Sequence, residues 1–340
     1  MKKKLVSICV PIYNVEKYIE KCAKSLFDQT YENIEYIFVN DSTPDNSIVI
    51  LRELMNLYPN RKSSSVIIEH KYNRGLASAR NTALKYASGE FIMWVDSDDY
   101  IDTNTVSTLI DEQDKTDSDI ISYGIYREYK NKIVIQLPPK FENNTAMVKA
   151  IISRKVFVGV CGRLIRRSLY VDNRIMAHEG VNMAEDYSVM PFLAYYAKKV
   201  ISIQKPMYHY NLCNEKSHVN NVSKAAVEQL WSAYQILFEF FFNKKDYYIS
   251  LIYANIVLSK ISLIVCAKQR LGQNYFEIIK SYGLYSFMRK LDIDYKDKII
   301  LSINNYNILL LYVNFALFMK RMFYLILSMT QKCVHLFNQK

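Results

Sequence analysis

Short apolar runs alternate with amphipathic stretches over the first hundred residues. Residues 6–10 form a β-rich apolar run stopped by Pro11, and residues 34–39 form a second that stops at Asn40-Asp41-Ser42-Thr43-Pro44-Asp45-Asn46. Between them Val15, Ile19, Cys22, Ala23 and Leu26 recur at helical spacing, which predicts a helix over residues 15–27. Two strands joined by such a helix run parallel with a right-handed crossover. The pattern continues with a helix at residues 47–57, a strand at 66–68, a helix at 76–87 opened by Gly75, and a strand at 91–95. It predicts an α/β domain with a Rossmann-like, mostly parallel sheet and flanking helices. Three strand ends, at Pro11, Asp41 and Asp96, then fall on one edge, where open α/β sheets bind ligands.

The chemistry on that edge is acidic. The strand at residues 91–95 runs directly into Asp96-Ser97-Asp98-Asp99, and side chains two apart on an extended chain point the same way, so Asp96 and Asp98 project together. Such a pair repels itself unless a cation joins it. Hard divalent ions, Mn²⁺ or Mg²⁺, suit the oxygen donors and commonly bridge protein carboxylates to a substrate's phosphates. The other reading is an acidic turn that caps the next helix.

Val6-Ser-Ile-Cys-Val-Pro-Ile-Tyr-Asn14, Val39-Asn-Asp-Ser-Thr-Pro-Asp-Asn-Ser47, Asn73-Arg-Gly-Leu-Ala-Ser-Ala-Arg-Asn81 and Val95-Asp-Ser-Asp-Asp99 resemble, in order and spacing, the successive signatures of family 2 glycosyltransferases with the GT-A fold. The resemblance covers about the first 110 residues densely. It implies a nucleotide-sugar donor, usually a UDP-sugar, a Mn²⁺ or Mg²⁺ cofactor, and inversion at the anomeric carbon. It also implies that Pro11, Tyr13, Asp41, Arg80, Asp96 and Ser97 line the nucleotide-sugar site. In the family's pattern Tyr13 stacks on the base, Asp41 accepts a hydrogen bond from it, Arg80 lies near the nucleotide, Asp96 contacts ribose or sugar, and Asp98 binds the metal. Read without the resemblance, Tyr13 is a packing residue, Asp41 an Asx-turn residue and Arg80 a solvated helix residue. The chain departs from the family by carrying Ser42, Thr43 and Pro44 where Gly-Ser-Thr is common.

A second constellation follows. Glu179-Gly-Val-Asn-Met-Ala-Glu185-Asp186 precedes an apolar helix expected over residues 187–197, and Lys205-Pro-Met-Tyr208 lies further on. Asp186 stands where a helix N-cap belongs. The passage also resembles the family's acidic pair, whose second acid is the general base; Asp186 is then the base and Glu185 its fallback or an orienting residue. Displacement of a nucleotide needs such a group to take the proton of the acceptor hydroxyl. His209 and His218 are candidates for a further metal ligand, with a structural or surface role as the alternative. Arg163, Arg166 and Arg167 lie in a stretch that resembles the acceptor side of related bacterial enzymes; they would meet a lipid-linked diphosphate or an acidic sugar, or simply coat a helix.

Composition adds a membrane side. Half of the 340 residues are apolar and the net charge is +11, which suits an anionic membrane or nucleic acid; nothing resembles a nucleic-acid module. The six Cys, at 9, 22, 161, 213, 266 and 333, have no zinc or disulfide spacing, consistent with a reducing cytoplasm. Pro11 and the polar residues after it interrupt any signal-peptide apolar region. The expected organisation is a catalytic domain over 1–220, with a nucleotide half to 110 and an acceptor half from 111, then a helical region over 221–340. In a helix from Ile308, Leu311, Tyr312, Phe315, Phe318, Met319, Met322 and Ile326 share an apolar side, with Lys320 and Arg321 opposite. That layout suits a helix lying in a membrane interface rather than spanning the bilayer; the alternative is packing on the catalytic domain or on a second copy in a homodimer. The expected protein is an inverting, metal-dependent glycosyltransferase at the inner face of a bacterial membrane, acting on a saccharide or lipid-linked acceptor. A nucleotidyltransferase and a non-catalytic membrane-anchored scaffold are the alternatives.

Overall fold

The structure, a computed structural model, describes residues 3–214, 224–244, 248–249, 251–252, 303, 305–312, 314–315, 319 and 322. The chain divides into two compact units, Met1–Phe240 and Phe241–Lys340. The first unit carries the sheet and the candidate chemistry. His218 and most of the predicted membrane helix lie outside the described residues.

The nucleotide half is built as the periodicity predicts. β1 (Val6–Ile12), α1 (Ile19–Phe27), β2 (Ile34–Asn40), α2 (Ser47–Leu57), the short α3 (Pro59–Lys62), β3 (Ser65–Glu69), α4 (Leu76–Tyr86) and β4 (Phe91–Trp94) follow one another. β3, β2, β1 and β4 are neighbours in that order and pair in parallel. β1 is buried along its whole length, which is why its sequence is a continuous apolar run rather than an alternation.

Two expected boundaries shift for physical reasons. β1 continues through Pro11 to Ile12, with Pro11 opposite Val39 of β2. On the other side the Cys9 carbonyl accepts from the Val95 N–H; two residues on, the Pro11 nitrogen faces that same side and has no hydrogen to give. The β1–β4 ladder therefore ends there, and the chain leaving β4 is free to turn at Asp96. Helix α1 begins at Ile19 rather than Val15, after a turn in which the Val15 carbonyl already accepts the Tyr18 (2.8 Å) and Ile19 (3.0 Å) N–H groups. Ahead of it the N–H groups that no helix satisfies find side chains, Asn14 donating to Thr43 Oγ1 (2.7 Å), Val15 to Ser47 Oγ (3.2 Å) and Glu16 to Asp45 Oδ2 (2.8 Å). These bonds tie the two loops that follow β1 and β2.

The acceptor half is mixed. β5 (Tyr100–Ile101), α5 (Thr105–Thr116), β6 (Ile120–Tyr129), β7 (Lys132–Gln136), α6 (Asn144–Ile152), β8 (Arg163–Arg166), α7 (Arg167–Asp172), a 3₁₀ turn at Asp186–Ser188, α8 (Met190–Tyr196), β9 (Val200–Asn211) and α9 (Lys224–Phe241) complete the described elements. β8 pairs antiparallel with both β4 and β6, β9 runs parallel to β6, and β7 pairs with β6 as an edge hairpin. The single helix expected over 187–197 is instead the 3₁₀ turn followed by α8, since Pro191 in the first turn of α8 supplies no N–H to continue a longer helix.

Candidate active site

The site is assembled where β1, β2 and β4 end. Tyr13, just past β1, is 47% exposed, so it is not a buried packing residue. Asn14 (φ 57°) and Ser42 (φ 57°) both take the left-handed conformation that turns the chain after each strand. Ser42 thus holds the turn that glycine takes at no steric cost, and the departure from the family's sequence leaves the turn in place.

Asp41 is buried, and its carboxylate organises the next loop. It accepts the N–H groups of Arg74 (2.8 Å) and Gly75 (2.7 Å) and lies 2.6 Å from His70 Nδ1. Because a carboxylate only accepts, Nδ1 carries the hydrogen; Nε2 of the same ring sits 2.8 Å from Thr82 Oγ1. Asp41 is thereby more than an Asx-turn residue: it fixes the entry to α4. Gly75 has φ +86°, and a Cβ there would run into the Asn182 side chain at 2.4–2.7 Å.

Arg80, on α4, is buried rather than solvated. Its guanidinium lies 3.0 Å from Asp96 Oδ1, 3.3 Å from Glu185 Oε1 and 3.6 Å from Asp186 Oδ1. One cation therefore joins the strand-end acid to the downstream acidic pair, although 105 residues separate Arg80 from Glu185. Breaking a buried pair by removing one partner typically costs 3–5 kcal/mol, roughly, because the other charge is stranded. Burial raises the Asp186 pKa, and the Arg80 charge only partly opposes it; the Glu185 pKa also rises, by burial first and the Asp186 charge second. Asp186 caps no helix: α8 has Val189 at its N-cap, without a side-chain bond, and the 3₁₀ turn has none either. Asp186 Oδ1 is buried without a hydrogen-bond donor. Ala184, immediately before the pair, is held at φ 68°, a conformation that costs a non-glycine residue about 1–2 kcal/mol.

The loop carrying the pair is held from several directions. Asn81 and Ala177 exchange two hydrogen bonds (2.8 and 2.9 Å), Arg74 pairs with Glu179 (3.0 Å), and Asn182 Oδ1 accepts from the Ala77 N–H at the start of α4 (3.1 Å). From α9, Gln229 Oε1 accepts both the Asn182 (3.1 Å) and Met183 (2.8 Å) N–H groups. Gln229 carried no signal in the sequence.

At the β4 end the acids divide their work. Asp99 is spent structurally: Tyr208 Oη donates to it at 2.6 Å and the Asn211 N–H at 2.8 Å. The Asp96 N–H donates to Tyr208 Oη (3.2 Å), so β9 sets the shape of this turn. Ser97 is buried in it. Asp98 accepts from Asn214 Nδ2 at 2.9 Å, and its pKa is pushed up to about 6 by burial and the Asp96 charge. Two neighbouring carboxylates, one of them raised in proton affinity by the charge of the other, are a donor set whose repulsion a hard divalent cation relieves, so these residues fit Mn²⁺ or Mg²⁺. Among the described residues no group of three or more His, Cys, Asp or Glu is placed to hold a metal.

Three other expectations resolve differently. His209 is stacked between Tyr100 (4.0 Å) and Tyr126 (4.5 Å), with Nδ1 on Glu128 (2.8 Å) and Nε2 on Asp102 (3.0 Å), so both ring nitrogens are engaged away from Asp98. Arg166 is committed to Glu90, Asp117 and Asp119, and Arg163 is buried against loop carbonyls. Arg166 is thus not an open phosphate fork, and Arg163 does not coat a helix in solvent.

With this geometry in view, the sequence and fold can be set beside known proteins. The family model described as glycosyl transferase family 2 matches residues 7–172. This domain belongs to glycosyl transferase family 2. The uncharacterized glycosyltransferase EpsJ of Bacillus subtilis is 34% identical over 216 residues, covering 61% of this chain and 60% of that protein. The poly(ribitol-phosphate) beta-glucosyltransferase of Bacillus spizizenii is 31% identical over 233 residues, covering 67% of this chain and 35% of that protein. The chain thus spans less than two thirds of each of these relatives. S. aureus TarS 1–349, solved in complex with UDP-GlcNAc, superposes with a TM-score of 0.58 at 22% identity, covering 82% of this chain and 91% of that one. The fold is GT-A: a Rossmann-like parallel half continued by a mixed half, with helices after it.

Proposed function

We propose that this protein transfers a sugar from a nucleotide sugar, a UDP-sugar in the first instance, to a saccharide or lipid-linked acceptor of a bacterial surface polymer, with inversion and with Mn²⁺ or Mg²⁺. The observation that carries the reading is Arg80, which holds Asp96 at the donor edge and Glu185-Asp186 within one buried cluster. Tyr13 offers its exposed ring to the base, with Pro11, Asp41 and Ser97 shaping the walls. Asp96 and Asp98 would hold the metal; when bound it neutralises charge developing on the departing diphosphate. Asp186 takes the proton from the acceptor hydroxyl as that oxygen attacks the anomeric carbon, and the bond to the diphosphate breaks with its electrons leaving on the nucleotide. A buried base with a raised pKa suits this task near neutral pH. Glu185 balances Arg80 and keeps Asp186 oriented. The test is a panel of nucleotide sugars scored for nucleoside diphosphate release with and without Mn²⁺. Release from a UDP-sugar that depends on acceptor and metal is expected; diphosphate release from a nucleoside triphosphate instead would make the protein a nucleotidyltransferase.

The second unit supports attachment to a membrane surface on the cytoplasmic side. In the helical residues from Ile308, the side chains of Ile308, Leu311, Phe315, Met319 and Met322 are 39–70% exposed and recur at helical spacing. With a net charge of +11, an anionic bilayer is the partner this stripe fits. Among the described residues no helix is long and apolar enough to cross a membrane. Full-length protein should co-float with anionic vesicles at low salt, and Leu311→Asp/Phe315→Asp should release it; a dimer that dissociates on the same substitutions would assign the stripe to a second copy.

A further inference from the structure

Away from the donor edge, a cavity of about 50 Å³ opens between β6, β8 and the loop before β8, with Ser122, Tyr123, Lys155, Phe157 and Arg163 on its walls. On the measure by which one water fills roughly 10–15 Å³, it holds a polar group of a few atoms. Its chemistry is one-sided. Ser122 and Arg163 are Cα partners across β6 and β8, so their side chains leave the sheet on the same face. Both are buried, and Ser122 Oγ and Arg163 Nε have no hydrogen-bond partner. The rest of the guanidinium donates to the carbonyls of Gly159, Cys161 (3.3 Å) and Phe157 (2.5 Å). Three of five N–H groups are thus used on neutral dipoles, and two, Nε–H included, remain. Lys155 is exposed at the rim, and among the described residues no Asp or Glu lines the cavity. Burial pushes the Arg163 pKa down to about 10, and the charge of Asp186 beyond the loop only partly opposes it.

We propose that this cavity is an oxyanion subsite, in which Arg163, Ser122 and Lys155 take one phosphate or carboxylate group of the acceptor. Arg163 offers its unused N–H groups, Ser122 its hydroxyl, and Lys155 draws the anion in from solvent. The loop links the subsite to the chemistry: Gly159 caps Arg163 through its carbonyl, and a Cβ on Gly159 would lie 3.3 Å from Asp186 Oδ2. An acceptor anchored there by its anion would present a neighbouring hydroxyl towards the base. The assignment rests on the glycosyl-transfer reading only for the origin of the anion.

The experiment titrates inorganic phosphate into the full chain with the donor site already filled by UDP and Mn²⁺. Phosphate should raise the melting temperature, and Ser122→Ala and Lys155→Ala should each weaken it by about 5- to 10-fold, as expected for loss of one bond or charge at an anion. Ser122→Ala removes a hydroxyl without a partner, so the unliganded melting temperature should stay at or above that of the parent. In transfer assays the same variants should raise the acceptor KM and leave the donor KM unchanged, and phosphorylated and carboxylated acceptor fragments run in parallel identify which anion is used. No thermal response to phosphate, or equal affinity in parent and both variants, overturns the subsite and leaves Arg163 a strut for its loop. Phosphate binding in a protein that transfers no sugar keeps the subsite and overturns the transfer reading instead.

Discussion

The two ends of the reaction are held by different kinds of structure. On the donor side, the groups sit on the ends of parallel strands, and each loop is fixed by the next: the 43–47 segment binds the N–H groups of Asn14, Val15 and Glu16, and Asp41 binds those of Arg74 and Gly75. On the acceptor side the acidic pair follows a strained residue, Ala184, in a loop that belongs to no strand end and is tied to other elements largely through side chains, among them Asn81 and Arg80 of α4 and Gln229 of α9. A strand end is positioned by the sheet, so changes there should act on binding. A loop is positioned by its guy-ropes, so changes there should act on turnover. Substitutions at four positions test that division.

The largest effect is expected at Asp186. Asp186→Asn keeps the shape and removes the base, so turnover should fall by roughly 10²–10⁴ while UDP affinity stays near the parent value. Normal turnover would move the base to Glu185 and dissolve the contrast. Next comes Asp98→Asn, which should weaken nucleotide-sugar binding in saturating Mn²⁺ by about 100-fold, on the order of 3 kcal/mol, with a much smaller change when metal is omitted. Calorimetry with and without Mn²⁺ measures both. Equal losses in the two conditions would show that Asp98 shapes the turn through Asn214 rather than holding a cation.

The same division decides what could be read before the fold was known. α2 was legible to the residue, and the four strands of the nucleotide half to within two, because each buried strand is a local apolar run and each amphipathic helix a local period; β5 to β9 of the acceptor half were not assigned from the sequence. Asp96, Asp98, Asp186 and Arg80 were singled out as residue types at motif spacing, and the fold brings Arg80 against Asp96 and Asp186. What was not legible depends on partners distant in sequence. Nothing local tells that Asp99 is consumed by Tyr208 and Asn211, 109 and 112 residues on, or that His209 is locked between two tyrosines. The N-cap reading of Asp186 failed similarly: its charge is drawn to Arg80, a contact no window around 186 contains.

Gln229 sharpens the contrast at a smaller scale. Its single oxygen receives two consecutive N–H groups at the loop that leads to Glu185 and Asp186, so Gln229→Leu would leave both donors unsatisfied and let the base drift. A displacement of about 1 Å can cost up to roughly 10²-fold in rate, and three residues of chain damp it here; a loss of about 10-fold in kcat with unchanged donor KM is expected. Gln229→Glu keeps an acceptor oxygen in place and should recover most of the loss. If the two variants are equally slow, packing of α9 rather than this hydrogen bond sets the loop.

The smallest effect should be confined to stability, and it lies at the opposite edge of the sheet. Glu35 of β2 accepts from Ser7 Oγ (2.5 Å), from the Ser88 N–H and hydroxyl (2.6 and 2.8 Å) and from the Gly89 N–H (2.9 Å), pinning the entry of β4 to β1 and β2. Burial alone would raise its pKa, but these four donors prevail and hold it below the ordinary value of 4.5. A carboxylate with a depressed native pKa binds fewer protons folded than unfolded, so its stabilisation is complete above the unfolded value and fades as the pH falls through the native one. Glu35→Gln should therefore lower stability by about 1–2 kcal/mol at neutral pH, the worth of charged hydrogen bonds in a half-exposed setting. The gap between parent and variant should narrow steadily below pH 4.5, while KM and kcat stay unchanged because no catalytic group touches this edge. Melting curves from neutral pH down into the acid range decide the matter: a gap that is constant with pH would mean that the network acts through shape alone, and a changed kcat would mean that the β4 end feels its own beginning.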